Sequence, residues 1–174
     1  MKINRPLFLV GYVLLSLLAP GRISAQKLVF LFAHGLYAMP SDSYFKHNFN
    51  NGYGVEGGAG IGLGSTFFIG TIGYSSFGST SQSSLGNTSY TPIKGGLRQY
   101  ILVGKIIFLQ VDAGVAHVKN EVVNGSRFSG DLGLGVKLGP FEVMASYDGF
   151  ARSDGEPSGY SSWIGIKAGA RLGL

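Results

Sequence analysis

The sequence predicts an all-β fold: an eight-stranded antiparallel up-and-down β-barrel that crosses a membrane with its strands, after a cleaved signal peptide. Three observations carry this expectation. Apolar residues alternate with polar residues or glycine over much of the chain, the period of a strand with one greasy face. The segments are joined by short and long connections in alternation. Of 174 residues 45% are hydrophobic, 13% charged and 29 glycine, too few charges for an ordinary water-facing surface.

The amino terminus reads as an address. Lys2 and Arg5 precede an apolar run over residues 7–18, and Ser24-Ala25 form a small-residue exit. That pattern makes residues 1–25 a secretory signal peptide, cut before Gln26. The run is too short for a spanning helix, which needs about 20 residues. Loss of Lys2, Arg5 and Arg22 lowers the formal net charge from +5 to +2. Residues 26–174 are the barrel domain, and no basic cluster remains there to follow a phosphate backbone, so no nucleic-acid partner is expected. With Cys 0, thiolate metal sites, disulfides and cysteine nucleophiles are excluded.

The strands follow in order. The first spans 27–38, with apolar residues on both parities. In the second, 53–64, Tyr53, Val55, Ala59, Ile61 and Leu63 oppose Glu56, Gly58, Gly60 and Gly62. The third and fourth, 67–77 and 91–103, are mixed. In the fifth, 107–115, Leu109, Val111 and Ala113 oppose Gln110 and Asp112. The sixth, 131–138, sets Leu132, Leu134 and Val136 against Asp131 and Lys137. The seventh, 141–148, sets Phe141, Val143, Ala145 and Tyr147 against Glu142 and Asp148. The eighth, 164–174, sets Ile164, Ile166 and Leu172 against Lys167 and Arg171. Eight is the smallest even number for a bacterial outer-membrane barrel.

Gly64-Ser65-Thr66, Gly104-Lys105-Ile106 and Gly139-Pro140 are tight turns, whereas 39–52, 78–90, 120–127 and 152–159 are long and polar. In an outer-membrane barrel the short turns and both termini face the periplasm, and the long loops face outward. Two aromatic belts are expected: Phe67, Phe68, Phe108 and Phe141 beside the short turns, and Tyr53, Tyr74, Phe77, Tyr90, Phe128, Tyr147, Phe150, Tyr160 and Trp163 beside the long loops.

With the greasy faces on lipid, the opposite parity points inward. It carries Glu56, Lys94, Arg98, Asp112, Asp131, Lys137, Glu142, Asp148, Lys167 and Arg171. Acids and bases are matched in number, so the set pairs and plugs the lumen; eight strands leave room for side chains and little more. The glycines of 58–64 are expected to make room for Arg and Lys side chains from the facing wall. A proton or ion path through the same charges is the functional alternative.

The signal peptide, eight alternating strands, alternating connections and apolar last strand resemble the small bacterial outer-membrane β-barrel superfamily, with outer membrane protein A and outer membrane protein X as familiar members. The glycine-rich texture is similar to the outer-membrane β-barrel domain proteins of Bacteroidota. The resemblance covers residues 27–174. It departs at the carboxyl terminus, where many members end in Phe and this chain ends in Leu174. It implies a place in the outer membrane, contact with its lipid and lipopolysaccharide, and passage through periplasmic chaperones and the barrel assembly machinery.

Catalytic signals are weak. His34, His47 and His117 show no metal-ligand spacing. His47 with Ser41, Asp42 and Ser43 is the best hydrolase-like group, but short serine-rich loops make such groupings common. The repeated glycines at 58–62 lack the phosphate-loop spacing and a following helix. The expectation is a non-enzymatic barrel without cofactor or metal. It presents surface loops, with Tyr44, Phe45, His47 and Phe49 as contact candidates toward a partner, a ligand or lipopolysaccharide. Two other readings remain open: a small pore or transport accessory, and a soluble secreted barrel that encloses an apolar ligand.

Overall fold

Eight strands pair with their sequence neighbours, and the last closes on the first. In a computed structural model that describes residues 29–101, 104–152 and 159–173, these are β1 (Val29–Pro40), β2 (Phe49–Leu63), β3 (Thr66–Ser79), β4 (Thr88–Tyr100), β5 (Ile107–Lys119), β6 (Asn124–Leu138), β7 (Phe141–Ala151) and β8 (Tyr160–Gly173). All neighbouring pairs are antiparallel, and the sheet is a closed barrel in the order β1 to β8. Closure leaves no open sheet edge. The expected signal peptide, residues 1–25, lies outside the described residues.

The strands run further into the outer loops than apolar alternation predicts. β6 begins at Asn124, not at residue 131, because Asn124 to Phe128 continue to pair with β5 down to Lys119. β2 begins at Phe49. A hairpin satisfies its own backbone whatever its side chains are, so pairing outlasts the greasy stripe. The first long connection holds a helix the periodicity did not reveal, α1 (Ser43–Asn48). At the other end the turns are tight. Gly64 and Gly139 adopt φ of 67° and 65°, the left-handed region that favours glycine.

The two faces sort as the alternation requires. Leu31, Val55, Ile61, Phe68, Leu134 and Ile164 point outward and are exposed, while Glu56, Lys94, Arg98, Asp112, Asp131, Glu142, Asp148 and Lys167 are buried inside. A soluble carrier would need the reverse.

The interior is layered. Phe45, Phe49, Phe77, Tyr90, Phe150 and Trp163 fill the outer end. Phe30, Phe32, Phe67, Tyr100, Phe108 and Met144 fill the short-turn end, and the charges lie between. This corrects the belt assignment: Phe67, Phe77, Tyr90, Phe108, Phe150 and Trp163 turn into the lumen. Their parity demands it, since Trp163 lies four residues from Lys167 on the same face. Of the rings expected in the belts, Phe68 and Phe141 are exposed at one end and Tyr53, Tyr74, Phe128 and Tyr147 at the other, while Tyr160 is half-buried.

The glycine face of β2 also serves another purpose than expected. A Cβ on Gly60 would strike the Phe30 ring, and one on Gly58 the Phe32 ring. Phenylalanines from the adjacent strand, not Arg or Lys, occupy that space; the Arg98 guanidinium then rests on the two rings at 5.1 and 5.0 Å. Gly60→Ala should therefore cost about 1–3 kcal/mol by overpacking. The measurement is the urea midpoint in detergent micelles. Gly57→Ala, whose Cβ would meet nothing closer than 3.6 Å, should leave that midpoint unchanged.

Candidate functional site: the barrel interior and outer mouth

Three acids sit side by side at one level of the lumen. Asp112 on β5 is the cross-strand partner of Asp131 on β6, which is the partner of Asp148 on β7. Like charges directly opposed are unfavourable, and lysines from the flanking strands offset them. Lys94 on β4 ion-pairs with Asp131 and lies 3.7 Å from Glu56 and 3.9 Å from Asp148. Lys167 on β8 reaches Asp148 at 2.9 Å, Glu56 at 3.0 Å and Asp131 at 3.7 Å. Ser146 donates to Asp148.

A second group lies toward the short-turn end. Arg98 Nη1 donates to both oxygens of Glu142, at 3.0 and 2.9 Å. Its Nε and Nη2 donate to Gln110 Oε1 at 2.8 and 2.6 Å. Gln110 passes the connection on through its amide, which donates to Asp112 at 2.7 Å. His34 joins the two groups: Nε2 is 3.3 Å from Glu142 and Nδ1 is 3.8 Å from Glu56. The charges thus form one connected network.

Eight of the ten inward charges named from sequence, all but Lys137 and Arg171, are buried. Lys137 and Arg171 are half-buried at the short-turn mouth. Sequence reading missed His34 and Gln110 as members. Gln110 had the right parity and lacked only a formal charge. His34 was hidden because β1 is apolar on both parities. His117, by contrast, faces outward.

The outer mouth is closed by α1. Asp42 caps it, accepting from the amides of Tyr44 and Phe45 at 3.1 and 3.2 Å. The same carboxylate accepts from the Ser162 amide at 2.9 Å and ion-pairs with Arg152. The Arg152 guanidinium lies 4.5 Å from the centre of the Tyr44 ring. This anchorage drives Phe45 down among Phe49, Phe77, Phe150 and Trp163. The expectation that Phe45 and Phe49 are surface contacts is therefore overturned: they are 1% and 4% exposed. Burial of aromatic area outweighs their position in a polar loop. Tyr44 is half-buried and His47 is exposed.

The hydrolase-like grouping does not assemble. Asp42 is engaged as above, and Ser41 Oγ bonds Ser162 Oγ at 2.8 Å; among the described residues these bonds run away from His47. No group of three or more His, Asp or Glu among the described residues has the arrangement to hold a metal ion. Inside the lumen Lys94, Arg98 and Lys167 pair with Asp131, Glu142, Asp148 and Glu56.

No family model matches the chain, and no curated protein matches it. Solved structures do. Neisserial surface protein A matches with a TM-score of 0.59 at 13% identity, over 84% of this chain and 97% of its own. The attachment invasion locus protein Ail of Yersinia pestis matches with a TM-score of 0.56 at 17% identity, over 83% and 97%. A transmembrane β-barrel designed de novo matches with a TM-score of 0.50 at 13% identity, over 87% and 100%. The chain shares the fold of small transmembrane β-barrels.

Proposed function

We propose that this chain is an integral, non-enzymatic protein of the bacterial outer membrane. It holds a closed lumen and presents its outer mouth to lipopolysaccharide or to a protein partner at the cell surface. One observation carries the reading: the faces are inverted relative to a soluble barrel. Arg98, Glu142 and Lys167 are 0%, 1% and 0% exposed, while Leu63, Phe68 and Leu172 are 69%, 67% and 63% exposed. Hydrocarbon accepts that exterior and water does not. The fold shared with the barrels named above supports the same placement. Export by a signal peptide and delivery by periplasmic chaperones and the assembly machinery belong to this proposal. So does surface contact through Tyr44 and His47.

The three layers support closure. Each end is filled with rings, and the middle is cross-linked by ion pairs. The purified barrel should migrate faster on a gel before boiling than after, and should show no steady conductance in planar bilayers. A large steady conductance would replace the closed barrel with a pore. Recovery of the chain in the soluble fraction, with no mobility shift, would remove it from the membrane altogether.

A further inference from the structure

A polar cleft of about 570 Å3 opens on the outer wall at the long-loop end. Tyr74 and Ser76 on β3, Asn87 just before β4, Ser89 on β4, Lys119 at the end of β5 and Glu121 beyond it line the cleft. Its floor is a cross-strand row: Ser76 pairs with Ser89, and Ser89 with Lys119. The exposed row Ile72, Ile93 and Val115 lies about four residues deeper, roughly 13 Å at the rise of a strand. The cleft therefore stands where the greasy wall gives way to polar loops.

Its shape is held before any ligand arrives. The Glu121 amide donates to the Leu85 carbonyl at 3.1 Å, and Asn120 Nδ2 to Thr88 Oγ1 at 3.1 Å, so the loop after β3 and the loop after β5 are tied together. Asn120 Oδ1 accepts from the Val122 and Val123 amides at 2.9 and 2.6 Å. The Glu121 side chain lies against Gly86, where a Cβ would strike its carboxyl group. Asn87 Oδ1 accepts from the Ser79 amide at 3.0 Å, which leaves the donors on its nitrogen. Among the described residues neither Lys119 nor Glu121 takes part in an ion pair.

One ammonium and one carboxylate leave the cleft without net charge, so attraction of an anion to Lys119 is offset by Glu121. Hydroxyl groups both donate and accept, and suit donors at Lys119 and Asn87 beside an acceptor at Glu121. The Tyr74 ring, 50% exposed, adds a flat apolar face. A sugar ring matches this set, with hydroxyls around its rim and C–H groups on its faces. We propose that the cleft binds a neutral saccharide, one ring stacked on Tyr74 and its hydroxyls bonded to Asn87, Lys119 and Glu121. The sugar part of lipopolysaccharide and a free oligosaccharide both offer this chemistry. The inference rests on the chain being an outer-membrane barrel whose long loops face outside.

The mature chain, folded in lauryldimethylamine oxide (a detergent without sugar), tests it by native mass spectrometry. The probes are neutral trisaccharides of glucose, galactose and mannose, sulfated maltotriose, and lipopolysaccharide with and without its hexose core. One molecule of at least one neutral trisaccharide should be retained per barrel, more tightly than the sulfated sugar. Tyr74→Ala and Glu121→Gln should each weaken that retention about tenfold. The proposal fails if no neutral trisaccharide is retained, if sulfated maltotriose is retained more tightly, or if either variant binds like the wild type. With a trisaccharide retained, displacement by lipopolysaccharide that carries the hexose core, and not by the coreless form, supports the site with the leaflet as its source. Displacement by neither supports it with a saccharide from solution, and equal displacement by both overturns it. Both substituted side chains are exposed, and folding of each variant is checked by the mobility shift on boiling. A wild-type chain without that shift overturns the membrane reading itself, not the saccharide cleft.

Discussion

Lys167→Met should destabilise the barrel by about 3–5 kcal/mol, the cost of stranding buried charges whose partner is gone. Lys167 is fully buried and bonds Asp148 and Glu56. Without it, Lys94 is the one lysine left within 4 Å of Glu56, Asp131 and Asp148, and Asp112 stands next in the row. Methionine matches the stem of lysine, so lost packing contributes little and the loss reports charge. Urea titration in micelles measures it. Adding Asp148→Asn should recover a large part, because one stranded carboxylate is then neutral. If the double variant is no more stable than Lys167→Met, charge imbalance is not what the lysine corrects, and the network argument fails.

Much of this arrangement was legible in the chain because strand parity is binary. Once Leu132, Leu134 and Ile164 face lipid, Asp131, Asp148 and Lys167 must face the axis, and no packing detail is needed to say so. The aromatic residues show where such reading stops. They were placed by distance from the turns, which separates the two ends but not the two faces. Parity would have turned Trp163 inward with Lys167, and Phe108 with Gln110. The glycines at 58 and 60 announced an empty surface without saying what fills it. The answer, Phe30 and Phe32, depends on the β1–β2 register, a non-local fact. Phe45 was out of reach for another reason. Its helix has six residues, too few for a period, and is held by the distant pairing of Asp42 with Arg152 and Ser162.

Trp163→Ala is expected to cost about 3–5 kcal/mol, the range for deleting a large aromatic side chain from a packed interior. Trp163 is fully buried, with ring centres of Tyr90, Phe77 and Phe45 at 4.9, 5.1 and 5.8 Å. Trp163→Phe should cost much less than Trp163→Ala. The indole N–H finds no acceptor among the described residues, so phenylalanine keeps most of the ring contact and sheds an unpaired donor. The alanine variant also separates two ways of closing the lumen. If rings and ion pairs act in series, emptying the outer layer leaves Lys94, Lys167 and their carboxylates across the channel, and Trp163→Ala stays non-conducting despite its lower stability. A steady current through folded Trp163→Ala would mean that the aromatic layer alone makes the seal. The buried charges would then have to be explained by folding alone, with no part in closure.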